Sequence, residues 1–166
     1  MSGEGTRAGS MTARDKSEGR PFGFMAPEGE KAMVCEQDAA ARGKIVSALK
    51  SMGYAVVEAV SCDEAVKFMR FQIFSVIVVN EHFDTVTGGI NSILLNLEGL
   101  SMSIRRQTFV VLLSATLSTM DNLEAYHKSV NLIINQREIG EAEKVLRQAI
   151  TEHEDFYRVF KEKIRK

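Results

Sequence analysis

Four short apolar runs in this chain end in polar residues, and any chemistry would have to be done there. Glu36, Gln37 and Asp38 follow Ala32–Cys35, and Asn80 and Glu81 follow Phe74–Val79. Ser114, Ala115 and Thr116 follow Phe109–Leu113, and Gln136 follows Val130–Ile134. Grouped at one edge, Glu36, Gln37, Asn80, Ser114 and Gln136 would supply one carboxylate, three amides and one hydroxyl. A carboxylate can attack phosphorus and become an acyl phosphate, whereas an amide nitrogen has its lone pair delocalised into the carbonyl and is a poor nucleophile. Mg²⁺ dehydrates reluctantly and is held through carboxylates and phosphate oxygens, so one carboxylate among amides is a poor site. The set therefore predicts no catalytic residue, no metal and no cofactor. Asp38 stands where a helix begins and reads as its N-cap. Glu81 adjoins Asn80, and strand alternation is expected to send it to the other side of the chain, which makes it a weak substitute nucleophile.

The remaining reactive residues form no second constellation. His82, His127 and His153 have no HxxxH spacing and no carboxylate arrangement suited to zinc or a triad. Gly88-Gly89 lacks the lysine of a P-loop and reads as a turn, and Arg105-Arg106 reads as part of a solvated connector. Cys35 and Cys62 have no CxxC spacing and read as reduced thiols of a cytoplasmic protein.

Of the 166 residues, 45% are hydrophobic and 26% charged, enough for one domain with a real core. A net charge of -1, from 21 basic and 22 acidic residues without long runs of one sign, points away from nucleic acid and anionic membranes. Residues 1–30 hold half of the glycines and both prolines and read as a disordered tail or linker. From Ala32 onward, apolar runs alternate with helical patterns. Strands are expected at 32–35, 55–59, 74–79, 109–113 and 130–134. Helices are expected at 38–52, 61–70, 90–100, 120–128 and from Glu141 onward. Gly53 stops the first helix, and Ser61 with Glu64 has capping-box spacing at the second. Strands that are near-continuous apolar runs imply a parallel sheet covered on both faces, with ligands at the carboxyl ends of its strands.

The span from Lys31 to Ile150 resembles the receiver domain of bacterial two-component response regulators. The resemblance implies a CheY-like, flavodoxin-like α/β fold, a doubly wound five-stranded parallel sheet in the order 2-1-3-4-5. In such receivers an acidic pair after the first strand holds Mg²⁺, and the matching positions are Glu36 and Gln37. The phosphorylated aspartate matches Asn80, the phosphate-sensing hydroxyl residue matches Ser114, and the lysine after the fifth strand matches Gln136. The strand-five aromatic that often reports activation matches Ile133. The chain is thus expected to be a degenerate receiver that works by protein contact without phosphorylation. A receiver-like sensor switched by a small ligand at the strand ends is the alternative, and an enzyme on this scaffold fits least.

The last helix is expected to run past the domain, as a C-terminal extension over 151–166. Its apolar stripe, Phe156, Tyr157, Phe160 and Ile164, must be covered by folding back, by a second copy or by another protein. The expected partners are therefore proteins, with a homodimer among the options, and neither nucleic acid nor membrane.

Overall fold

In the computed structural model, which describes residues 24–84 and 92–164, five strands form one parallel sheet in the order β2-β1-β3-β4-β5. The strands are β1 (Lys31–Cys35), β2 (Ala55–Glu58), β3 (Val76–Asn80), β4 (Phe109–Ser114) and β5 (Leu132–Asn135). The helices between and after them are α1 (Ala39–Ser51), α2 (Cys62–Phe71), α3 (Ser92–Glu98), α4 (Met102–Arg105), α5 (Asn122–His127) and α6 (Ala142–Ile164). A 3₁₀ segment, Gln136–Glu141, leads from β5 into α6. Residues 1–23 and the expected turn at Gly88-Gly89 lie outside the described residues.

The strands extend because they are rich in β-branched residues, and β3 and β4 are buried along their whole length. Their side chains divide by alternation onto the two faces. Val34, Val78, Val111 and Ile134 pack with Ile45, Leu49, Leu146 and Ile150 of α1 and α6. Met33, Ile77, Leu112 and Ile133 pack with Ala65, Ile93, Leu97 and Ala125 of α2, α3 and α5. Burying a large aliphatic side chain contributes roughly 1.5–3 kcal/mol, so these two layers dominate the favourable side of folding.

Helix ends obey local chemistry. Asp38 caps α1 by accepting from the Ala41 N–H at 2.9 Å, and Asp121 caps α5 by accepting from Glu124 at 3.1 Å. Ser61 caps α2 through the Glu64 N–H at 3.1 Å, while the Glu64 carboxylate reaches back to the N–H of Val60 rather than Ser61. Gly53 ends α1 with φ +97°, a conformation that favours glycine.

One expectation needs correction. Part of the supposed tail, Phe24 to Glu30, packs on the domain. Phe24 stacks on Tyr54 at 6.3 Å, the Ala26 N–H donates to the Met52 carbonyl at 2.7 Å, and Arg147 donates to the Phe24 carbonyl at 2.7 Å. The stretch before β4 is solvent-exposed, as a connector should be, and it forms the short helix α4. Arg105 ties that helix down by donating to the carbonyls of Thr108 and Ser129, each at 2.8 Å, and to Asn131 Oδ1 at 3.2 Å. Burial lowers the pKa of this guanidinium, although the Tyr157 hydroxyl opposes the shift. Among the described residues, no helix is long and apolar enough to cross a membrane.

Candidate functional site at the strand carboxyl ends

The strand order reverses at β1 and β3, where open parallel sheets present a crevice at their carboxyl ends. Cys35 stands opposite Val79, so the next residues, Glu36 and Asn80, are neighbours at the edge. Both are buried: Glu36 is 1% exposed and Asn80 4%. Asn80 Nδ2 donates to Glu36 Oε2 at 2.7 Å, and Glu36 Oε1 accepts from the Asp38 N–H at 3.0 Å. Asn80 Oδ1 accepts from the His82 N–H at 2.9 Å. Both oxygens of the carboxylate and both ends of the amide are therefore engaged within the chain. Hydrogen bonds to both oxygens reduce the cost of burying this carboxylate.

Gln37 is exposed and turns away from this pair. Its Oε1 accepts from the Asp84 N–H at 3.1 Å, and Asp84 Oδ2 accepts in turn from the Cys62 N–H at 2.8 Å, which links the segment after β3 to the start of α2. Asp84 has φ +49° and is fixed by these two bonds.

Ser114 is buried, but its hydroxyl is directed to Glu81. β3 and β4 are staggered so that Asn80 stands opposite Leu113, which puts Glu81 beside Ser114. Ser114 Oγ donates to Glu81 Oε1 at 3.0 Å, and the Ala115 N–H donates to the same oxygen at 3.1 Å. Alternation does separate Glu81 from Asn80, but the stagger brings Ser114 to the Glu81 side. Glu81 is therefore a member of the site that sequence reasoning set aside. The only sequence signal for it was a carboxylate directly after a buried strand.

On β5 the residue opposite Ser114 is Asn135, and Gln136 lies one position further on, half-buried at the start of the 3₁₀ segment. Asn135 Nδ2 donates to the Leu117 carbonyl at 2.8 Å, and its Oδ1 accepts from the Arg137 N–H at 2.9 Å. Ile133 is buried within the core layer under α5.

This donor set does not fit Mg²⁺. Glu36 brings the one carboxylate of the β1–β3 pair, and its oxygens already accept two N–H groups. Asn80 presents nitrogen rather than oxygen to it, and Gln37 spends its oxygen on Asp84. Among the described residues, no group of three or more His, Cys, Asp or Glu side chains is arranged to hold a metal ion.

The predicted contact stripe on α6 divides. Phe156 is 71% exposed, but Tyr157 folds back at 4.5 Å from His153, which meets Phe109 edge-on at 5.0 Å under the amino-terminal edge of the sheet. A cavity of about 170 Å³ opens beside these rings, lined also by Tyr54, Arg106 and Ile150. Burial, then the carboxylates of Glu30 and Glu154, push the Tyr54 hydroxyl pKa up. The side chains of Phe160 and Ile164 lie outside the described set.

No protein-family model matches the chain, and no curated protein matches it by sequence. Solved structures do match it in fold. It is similar to a CheY-like response regulator receiver domain from Methylobacillus flagellatus, with 16% identity and a TM-score of 0.53 over 72% of this chain and 98% of the other. It is similar to the chemotaxis response regulator CheY4 of Vibrio cholerae, with 18% identity and a TM-score of 0.54 over 72% and 98%. An orphan response regulator of H. pylori gives 15% identity and a TM-score of 0.54 over 74% and 98%. By its strand order, its crossovers and these matches, the chain has the fold of CheY-like receiver domains.

Proposed function

We propose that this chain is a receiver-fold signalling module that works by protein contact and is not phosphorylated at the end of β3. The observation that carries this reading is the buried bond from Asn80 Nδ2 to Glu36 Oε2 at 2.7 Å. An amide replaces the nucleophile, and its N–H occupies an oxygen of the neighbouring carboxylate that would otherwise be open to a cation. With no phosphoryl acceptor and a poor Mg²⁺ donor set, the module presents one surface at all times. The exposed apolar turn of α6, Phe156 and Val159, is the surface we assign to contact with another protein.

The test is incubation of the full chain with acetyl phosphate or phosphoramidate and Mg²⁺, followed by intact mass and peptide mapping. An unchanged mass is expected. A stable acyl phosphate on Glu36 or Glu81, the carboxylates nearest Asn80, would overturn the reading.

A further inference from the structure

We propose that Glu81 is a tethered anion that sets the loop between β4 and α5. Its carboxylate does for Ser114 and Ala115 what an arriving phosphoryl group would otherwise do. The inference rests on the reading that no such group arrives, and it adds what stands in its place.

Two donors from the end of β4, the Ser114 hydroxyl and the Ala115 N–H, converge on one oxygen of Glu81 at 3.0 and 3.1 Å. The Glu81 side chain is only 18% exposed, and His82 Nε2 lies 3.6 Å from the same oxygen. Convergent donors in a partly dry setting suit an anion better than a neutral acceptor, because charge-assisted bonds are about twice as strong as neutral ones. The effect extends past Ser114. A hydroxyl has one hydrogen, and giving it to Glu81 leaves the lone pairs of Ser114 Oγ to the Thr116 N–H at 3.2 Å and the Leu117 N–H at 3.0 Å. The Leu117 carbonyl then accepts from Asn135 Nδ2 at 2.8 Å, and the Asn135 N–H donates to Thr119 Oγ1 at 2.9 Å. One carboxylate from the residue after β3 thus orders residues 114–117 and their link to the end of β5. Glu81 touches no substrate and is a positioning residue.

The test compares amide hydrogen exchange in the full-length wild type, Glu81→Ala and Glu81→Gln, with and without inorganic phosphate. In Glu81→Ala, exchange at Ala115, Thr116 and Leu117 should accelerate about tenfold or more, while Val78 in β3 keeps its wild-type rate. Glu81→Gln, which keeps an acceptor oxygen and loses the charge, should fall between. Phosphate should slow the accelerated amides of Glu81→Ala and leave wild type unchanged. Wild-type rates in folded Glu81→Ala, or accelerated amides that phosphate leaves unchanged, would overturn the proposal. If Glu81→Ala does not fold, Glu81→Gln decides by the same amides. A phosphoryl adduct on wild type would instead defeat the reading on which the proposal rests, so the two failures are distinguishable.

Discussion

Replacing Asn80 with aspartate restores a carboxylate at the end of β3 and should destabilise the protein in a pH-dependent way. Asn80 Nδ2 lies 2.7 Å from Glu36 Oε2, so the two carboxylates of the variant would have charge centres roughly 4 Å apart. At an effective dielectric constant near 20 their repulsion is about 4 kcal/mol. The pair can avoid this by keeping one proton. From a reference aspartate pKa near 3.9, holding a proton at pH 7 costs about 3 units at 1.36 kcal/mol each, again about 4 kcal/mol. At pH 5 the same proton costs only about 1.5 kcal/mol. The sign follows from linkage: the native variant binds a proton that the unfolded chain has released, so stability falls as pH rises above the unfolded value. Urea unfolding of Asn80→Asp should therefore show a loss of about 1.5 kcal/mol at pH 5 growing to about 4 kcal/mol at pH 7. Asn80→Ala should show a smaller loss with little change between the two pH values. Mg²⁺ at ten times its dissociation constant should return about 1.4 kcal/mol to Asn80→Asp and nothing to wild type. An Asn80→Asp protein as stable as wild type at both pH values would mean that the two side chains are not in contact.

Three further outcomes are expected. Arg105→Ala should lower stability to urea by about 2–3 kcal/mol, because it strips the Thr108 and Ser129 carbonyls of a charged donor, and Arg105→Lys should recover less than half. Arg147→Ala should cost about 1 kcal/mol and speed proteolysis between Phe24 and Glu30, since Arg147 holds the Phe24 carbonyl; unchanged cleavage would show that the Phe24–Tyr54 stack suffices. Cys35, buried in the layer under α2 with its thiol pKa pushed up by burial and then by Cys62, should resist a thiol reagent at pH 8 until the protein unfolds. Peptide mapping after native labelling would reveal any exception.

The architecture was legible because its signals are local. Near-continuous apolar strands announced a sheet covered on both faces, and Asp38, Gly53 and Ser61 act at helix ends through bonds to residues a few positions away. What escaped depended on register or on distant partners. Nothing within 109–114 tells that Leu113 rather than Ser114 stands opposite Asn80, yet that one-residue stagger decides whether Ser114 meets Asn80 or Glu81. On β5 the register likewise sets Asn135 opposite Ser114, with Gln136 one position beyond the pair. Helix α4 gave no burial signal, since Met102 and Ile104 are exposed, and what ties Arg105 down lies some 25 residues away in Ser129 and Asn131. Phe24 looked incidental until Tyr54 was placed beneath it.

The amide at position 80 and the carboxylate at position 81 belong to one arrangement. Asn80 stands between two acidic neighbours, Glu36 across the sheet and Glu81 along the chain, and each of those carboxylates has its own donors. A third carboxylate between them would raise the cost of keeping the others ionised, and the charge on Glu81 is what orders the loop after β4. Asn80 therefore does more than withhold a carboxylate from the end of β3. By donating to Glu36 while leaving Glu81 charged, it lets the strand edge hold two anions, one locking β1 to β3 and the other locking β3 to β4. Asn80→Asp should accordingly speed amide exchange at Ala115 as well as at Asp38, and an effect confined to Asp38 would show that the two locks are independent.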